Sequence, residues 1–474
     1  MTRAILAVPF LLAACAHLTP AEHPSIPASD ARNIATLEQG IATALPGRLE
    51  EEWQLVTALE NAGLLHLAYL YAVPLARAPG HPHHLEAYES LVRLQEPRHD
   101  DFLVPASLNA LPPPAGLSAP ALVQLSFLRA QIAFRKGQLE EVLALTAQVP
   151  EGNAFFPRAQ YLTAITLADP RLAGGARLEE ALDVLTRLVP KLGPSRDANV
   201  RSMALLGLGR ISYGLRRWAE AVRWYEAAAQ LAPTRTEALF ERSFASLQQG
   251  DWAHALAALS SPEVIAAGIA EAPVAEAMVL HFSGDDLGAE KVLASVKPSA
   301  SAQACEPRQN PRLAKADEVI ASWQRELAVV ENTAGWSGTA TGTTFADFLR
   351  RNLDTLGKLR EHLCSKASQF AQNNRAMFAS SADLLGIEVA LGHRDLDLAI
   401  ARAERVLAQF PREGAPTSEL LFRLAALRQA RAEVLSGADA EEERAQVSRL
   451  IGRILEGDQT WERLEEARHF LDAR

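Results

Sequence analysis

The sequence predicts an all-α protein built from stacked helical hairpins. Three observations carry that expectation. First, GDWAHALAAL at Gly250–Leu259 has an echo 34 residues to either side, RRWAEAVRWY at Arg216–Tyr225 and GDDLGAEKVL at Gly284–Leu293. Second, hydrophobic residues make up 48% of the 474, much of that Ala and Leu, and aromatics only 6%; Ala and Leu favour helix where Val, Ile and aromatics would favour sheet. Third, an apolar stripe at i, i+3, i+4, i+7 and i+10 recurs along the chain and is repeatedly closed by a proline. The formal net charge of −10 offers no attraction to phosphate backbones, which argues against a nucleic-acid partner.

The elements follow in chain order. Residues 1–14 open with one positive side chain, Arg3, and eleven apolar residues from Ala4 to Ala14. A bilayer span takes about 20 residues, so this run has the length of a signal-peptide core. Residues 15–32 contain Pro20, Pro24 and Pro27 and read as a flexible tether of up to ~50 Å at ~3.1 Å per residue. Residues 33–120 hold degenerate helical repeats, with the stripe at Leu65, Ala68, Tyr69, Ala72 and Leu75 before Pro79, and end in a Pro-rich connector over 97–120.

Residues 121–300 form the main array. The stripe runs through Leu139, Val142, Leu143, Thr146 and Val149 before Pro150, and through Leu178, Ala181, Leu182, Leu185 and Leu188 before Pro190. It returns at Trp218, Ala221, Val222, Tyr225 and Ala228 before Pro233. Gly63, Gly137 and Gly250 each stand two residues ahead of their stripes. Ala221, Ala255 and Ala289 make one column at the 34-residue interval, Tyr225, Leu259 and Leu293 a second, and Gly209, Ser243 and Ala277 a third. Small residues at Gly209 and Ala221 suit the close approach of two helices, with Trp218 and Tyr225 filling the gap toward the next hairpin. Residues 301–416 are divergent: a Gly/Thr-rich loop over Ala334–Thr344, one long helix or a helical pair after it, then a hairpin whose stripe is Leu396, Ala399, Ile400, Ala403 and Val406 before Pro411. Residues 417–474 are charged and helical, as expected of a solvated cap.

Two stretches resemble known families. Leu12-Ala13-Ala14-Cys15 resembles the bacterial lipobox, which implies lipidation of Cys15 and cleavage just before it. Ala16 at the next position implies release to the outer membrane, with the periplasmic face favoured over the surface. Several acyl chains bind a membrane firmly where one would not. Cleavage removes only Arg3 among the charges, so the mature net charge becomes about −11. Leu208, Gly209, Ala221, Tyr225, Ala228 and Pro233 are similar to the tetratricopeptide repeat, whose Leu-Gly pair, small residue, aromatic and closing Pro they match. The resemblance spans residues 50 to 411, and is strongest over 202 to 295. It implies a solenoid whose first helices line a concave, ligand-gripping face.

Chemistry is sparse. There is no zinc-protease pattern, no Gly-x-Ser-x-Gly elbow, and GTATGTT lacks the lysine of a phosphate loop and reads as a flexible turn. His81, His83 and His84 with Glu86 or Glu89 are the one metal candidate, but Pro82 turns the chain and the better reading is a solvated loop or helix N-terminus. Arg350, Arg351, Lys358, Arg360 and Lys366 read as an exposed helix face, with contact to lipid headgroups or an acidic partner second. Cys305 and Cys364 either pair in a disulfide, which an envelope address permits, or stand as small hydrophobic residues.

The expected function is therefore a non-enzymatic, membrane-anchored scaffold that binds protein partners in an envelope machine for motility, pilus assembly or secretion, with no cofactor, metal or small-molecule substrate. The alternative is an enzyme or enzyme recruiter acting on cell wall or glycan, with a site in residues 300–474. The repeat resemblance points to Arg210 and Tyr213 on one first helix, and to Glu237, Phe240, Phe244 and Gln248 on the next, as the partner-binding residues. Phe240 and Phe244 share a face one turn apart. They either pack against the preceding hairpin or form an apolar anchor flanked by Arg210 and Glu237.

Overall fold

The computed structural model describes residues 26–43, 49–98, 108, 111–195, 197–269, 271–295, 311–392, 394–409 and 415–453. The signal segment, Cys15, Cys305, Pro411 and the end of the C-terminal tail lie outside them. The described residues are helices joined by turns, with no strand among them. In order they are α1 (Ala28–Thr43), α2 (Leu49–Asn61), α3 (Leu65–Arg77), α4 (His84–Arg98), α5 (Ala119–Lys136), α6 (Leu139–Thr146), α7 (Phe156–Leu167), α8 (Leu178–Leu188), α9 (Ala198–Gly214) and α10 (Trp218–Ala229). Then come α11 (Arg235–Gln248), α12 (Trp252–Leu259), α13 (Pro262–Ala267), α14 (Ala272–Phe282), α15 (Asp286–Ser295), α16 (Pro311–Asn332), α17 (Ala340–Gly392), α18 (Leu396–Gln409) and α19 (Ala415–Val434). A last helix, α20, covers 438–453.

Contacts group the chain into two units. One takes Met1–Leu125 with Asn310–Leu363, and the other takes Ser126–Gln309 with Cys364–Arg474. In the second unit each helix packs on its sequence neighbour from α6 through α12, then α12 on α14 and α14 on α15. The stripe residues are the reason. Ala181, Leu182, Leu185 and Leu188, then Ala221, Tyr225 and Ala228, then Ala255, Ala258 and Leu259, then Ala289 and Leu293 are all buried. So are Ala399, Ile400, Ala403 and Val406. Burying a Leu or aromatic side chain fully contributes roughly 1.5–3 kcal/mol, so the stripe, more than helix propensity, holds these short helices. The hairpin after α15 is supplied from far along the chain: Val389, near the end of α17, packs with Ala277, Ala289 and Leu293.

Among the described residues one turn is used six times. Gly63, Gly137, Gly250 and Gly284 have positive φ, and Arg216 (59°) and Arg394 (65°) take the same conformation in the same slot. In each case the N–H of this residue donates to the carbonyl three residues back and the next N–H donates to the carbonyl five back, as in Gly250 to Leu247 and Asp251 to Ser246, or Arg394 to Leu391 and Asp395 to Ala390. That is the Schellman ending of a helix, and it sets the entry of each second helix. The conformation costs an L-residue roughly 1–2 kcal/mol, hence glycine in four of the six.

Inside the hairpin of α9 and α10, the Tyr225 ring packs directly on Gly209. A Cβ added to Gly209 would sit 2.6 Å from the Tyr225 ring. Tyr225 thus fills its own hairpin and also packs in one buried cluster with Ala238 and Ala245 of the next. In the neighbouring hairpins Ser243 and Leu259 occupy the equivalent positions, and Ala277 and Leu293 share one buried cluster. A narrower side chain on the second helix leaves room for a Cβ on the first.

In the first unit, α1 to α4 pack in sequence and residues 311–363 pack back on them. Helix α1 takes in residues 28–32 of the expected tether, because Ala31 and Ile34 are buried and the Trp336 indole donates to the Ala31 carbonyl at 3.0 Å. The expected loop over Ala334–Thr344 is a turn only to Thr339, and α17 begins at Ala340. The Thr339 hydroxyl accepts the Gly342 N–H at 3.2 Å, and Thr341 donates to the buried Glu38 at 2.8 Å. GTATGTT is therefore mostly helix, not a flexible turn. Of the two readings of the segment after it, the single long helix is correct.

Candidate partner-binding face

Helices α9 and α11 present the residues singled out from the sequence. On α9 the exposed positions Asn199, Met203, Arg210 and Gly214 fall on one face, and on α11 Glu237 and Gln248 are exposed with Glu241 and Phe244 half-buried between them. The spacing of three, four and seven residues is that of one helical face.

Arg210 is not free on this face. Its guanidinium reaches across to α11, donating through Nε to both Glu241 oxygens at 2.9 and 3.0 Å and through Nη2 to Glu241 at 2.5 Å and to Glu237. Burial alone would lower its pKa, but the two carboxylates more than offset that and hold it raised and charged. The Tyr225 phenol is pushed well up, first by burial and then by the nearby Glu241 carboxylate. Tyr161 on α7 is likewise raised, mainly by burial. The result is a polar seam of Tyr161, Arg210, Tyr225, Glu237 and Glu241 joining four helices. Glu241 and Tyr161 were missed in the sequence. Glu241 stands one turn after Glu237, the only local signal that it shares the face.

The aromatics are partly spent on packing. Tyr213 is half-buried with its ring edge-on to Trp218, centroids 4.8 Å apart. Phe240 and Phe244 meet edge to face at 5.2 Å and 89°. Both pack against Leu247, Ala255, Leu259, Ala275 and Val279, so their apolar partners lie on their own and the following hairpin. The preceding hairpin, where packing was expected, is joined instead through Arg210. The exposed part of the predicted site is Arg210, Glu237 and Gln248.

The histidine group is structural. His81 is buried, not solvated, with Nε2 3.4 Å from Glu52. The His83 imidazole meets Glu50 at 2.6 Å and stacks on Trp53, and this hydrogen bond lowers the Glu50 pKa. His84 is the first residue of α4. Glu86 comes no nearer than 3.9 Å to His83, and Glu89 accepts the Ser118 N–H. Among the described residues no group of three or more His, Cys, Asp or Glu is placed to hold a metal ion. The basic stretch is largely neutralised: Arg350 pairs with Glu331 and Asp347, Lys358 with Asp354, and Arg360 with Asp317, while Arg351 lies 4.9 Å over the Phe348 ring. Lys366 is exposed. Cys364 is disulfide-bonded, and Cys305 lies outside the described residues.

No family model matches the chain, and no curated protein matches it. Solved structures similar to it include the Cut9–Hcn1 hetero-tetramer of the APC/C, at 17% identity and TM-score 0.24, covering 79% of this chain and 66% of that one, just under two thirds. A Rap protein complexed with competence and sporulation factor is 9% identical at TM-score 0.29, covering 81% and 99%. The TPR domain of P58(IPK) is 12% identical at TM-score 0.19, covering 86% and 99%. These superpositions are loose. The tetratricopeptide-type architecture rests on the chain's own hairpins, with their repeated turn and buried second-helix stripe.

Proposed function

We propose that the protein is a lipid-anchored scaffold of the bacterial envelope, tethered through Cys15 at the periplasmic face of the outer membrane. It would bind a protein partner of a motility, pilus or secretion assembly along its first helices. The observation that carries the reading is the run of in-register hairpins in which α9 and α11 present a face of charged and half-buried aromatic residues. Rigid helical faces with an exposed Arg and flanking aromatics are the kind of surface on which interface energy concentrates. Among the described residues no helix is long and apolar enough to cross a membrane, and the LLAAC junction is what supports the anchor.

Two variants test the reading. Cys15→Ser should shift the protein out of the membrane fraction or leave it unprocessed; fractionation equal to the wild type would remove the anchor from the proposal. Phe244 is a poor probe because it packs in a cluster, whereas Glu237 is exposed. Glu237→Arg should abolish crosslinking to the envelope partner captured by the wild type, at nearly unchanged helicity and melting. Capture that survives the charge reversal would place the binding surface elsewhere.

A further inference from the structure

The turn between α14 and α15 departs from its equivalents in a way the fold does not require. Two residues before the left-handed position, the other five turns carry Asn61, Arg135, Gly214, Gln248 and Gly392; this one carries Phe282. Three residues after it, the others carry His66, Glu140, Ala219, Ala253 and Asp397; this one carries Leu287. Phe282 is 57% exposed and Leu287 72%. Five turns form with neither side chain, so the apolar pair is not there to make the turn.

The neighbouring turns of the same unit extend the patch. Trp252, at the start of α12, stacks on Phe282 with the rings 14° from parallel and centroids 6.4 Å apart. On the other side, Gly392 lies against Asp286, where an added Cβ would meet the carboxylate at 2.0 Å. Leu391 beside it is partly exposed. Carboxylates punctuate this edge because each turn caps its second helix with an aspartate. Asp251 accepts the His254 N–H, Asp285 the Gly288 N–H and Asp395 the Leu398 N–H. Asp286 pairs with His281 at 2.6 Å, and Asp251 with the His254 ring at 2.7 Å. The second Asp285 oxygen has no hydrogen bond among the described residues. The opposing charges nearby are Arg394 and Lys291, both exposed, and Arg242, which acts on Asp251; Arg431 is paired with Asp397. With Asp397 taken by Arg431, the four aspartates still outnumber the three cations around an aromatic and aliphatic centre.

We propose that this edge, centred on Phe282 and Leu287, docks a peptide segment of a protein partner that carries Lys or Arg beside aliphatic side chains. The stacked Phe282 and Trp252 rings offer a face to the cation. Asp285 and its neighbours supply the opposite charge, and Leu287 covers the aliphatic part. The site is centred on a different turn and does not rest on partner binding at α9 and α11, although Trp252 shares a cluster with Phe240 and Phe244.

The experiment uses the full chain and two labelled synthetic peptides of equal length, one alternating Lys and Leu, the other Glu and Leu, read by fluorescence anisotropy at low and moderate salt. The Lys/Leu peptide should bind the wild type and the Glu/Leu peptide should not. Phe282→Ser with Leu287→Ser should weaken binding at least tenfold, and Asp285→Asn severalfold with a shallower salt dependence. Ile265→Ser, at another exposed apolar residue (67% exposed), should leave binding unchanged. Leu287→Ser alone, at the more exposed position, keeps the test open if the double variant loses helicity. The proposal is overturned if the double variant or Leu287→Ser binds as the wild type does, if Ile265→Ser weakens binding equally, if both peptides bind alike, or if neither binds. Neutral lipid vesicles that bind more tightly than the peptide, and lose that binding in the double variant, would make the edge a lipid surface and also overturn it.

Discussion

Gly209→Ala is the sharpest test of the hairpin geometry, because two effects of known sign oppose each other. Within a helix the change gains up to ~1 kcal/mol of propensity. Against it, the new methyl would lie 2.6, 2.7 and 3.0 Å from three carbons of the Tyr225 ring. That residue is 2% exposed and packed within a buried cluster, so the ring has no free space to swing into. Overpacking of this kind costs about 1–3 kcal/mol. The expected net is a loss of up to about 2 kcal/mol, roughly 2–4 °C per kcal/mol for a domain of 150–250 residues. Gly357→Ala is the control: it is also helical, and nothing lies within 4 Å of its added Cβ, so it should be neutral or stabilising. The chain itself supplies the rescue. Ala277 and Leu293 share one buried cluster in a later hairpin, and Gly209→Ala with Tyr225→Leu recreates that pair. The two substitutions should couple favourably by about 1 kcal/mol or more, measured by thermal and urea unfolding of all four proteins. A Gly209→Ala protein that melts at or above the wild type, or a cycle with no coupling, would refute the close approach of α9 and α10.

Two further outcomes are expected. Arg216 is exposed with φ of 59°, in a slot where four of its equivalents are glycine, so Arg216→Gly should stabilise the array by up to ~1 kcal/mol as relieved strain exceeds the added entropy of the unfolded chain; a lower urea midpoint would contradict the shared turn. Glu326 is buried on α16 and accepts the backbone N–H groups of His66 and Leu67 at 2.9 and 2.8 Å and the His66 ring at 2.8 Å. Glu326→Ala would leave all three donors buried without it and should cost about 3–5 kcal/mol, with hydrogen exchange fastest at the start of α3; an effect under about 1 kcal/mol would show that residues 311–332 do not pack there.

Most of the second unit was legible in the sequence, and the physical reason is locality. The Schellman turn needs one residue that tolerates positive φ, and the second-helix stripe needs apolar residues at helical spacing; both lie within a dozen residues and repeat at 34. Even the degenerate units obey a local rule, in which the size at position 209, 243 or 277 balances that at 225, 259 or 293. The turns at Arg216 and Arg394 hid themselves only because an arginine occupies the glycine slot. Three things were decided by tertiary structure. Residues 310–363 leave the array and complete the N-terminal unit through Glu326 and His66, 260 residues apart, and through Trp336 and Ala31, 305 apart. Arg210 is claimed by Glu241, so the predicted face carries a paired cation. Phe282 and Leu287 remain exposed where the stripe pattern marks neither as special. None of these has a sequence period, because each depends on which surfaces meet after the local hairpins have formed, and a side chain's burial or freedom is a property of that meeting.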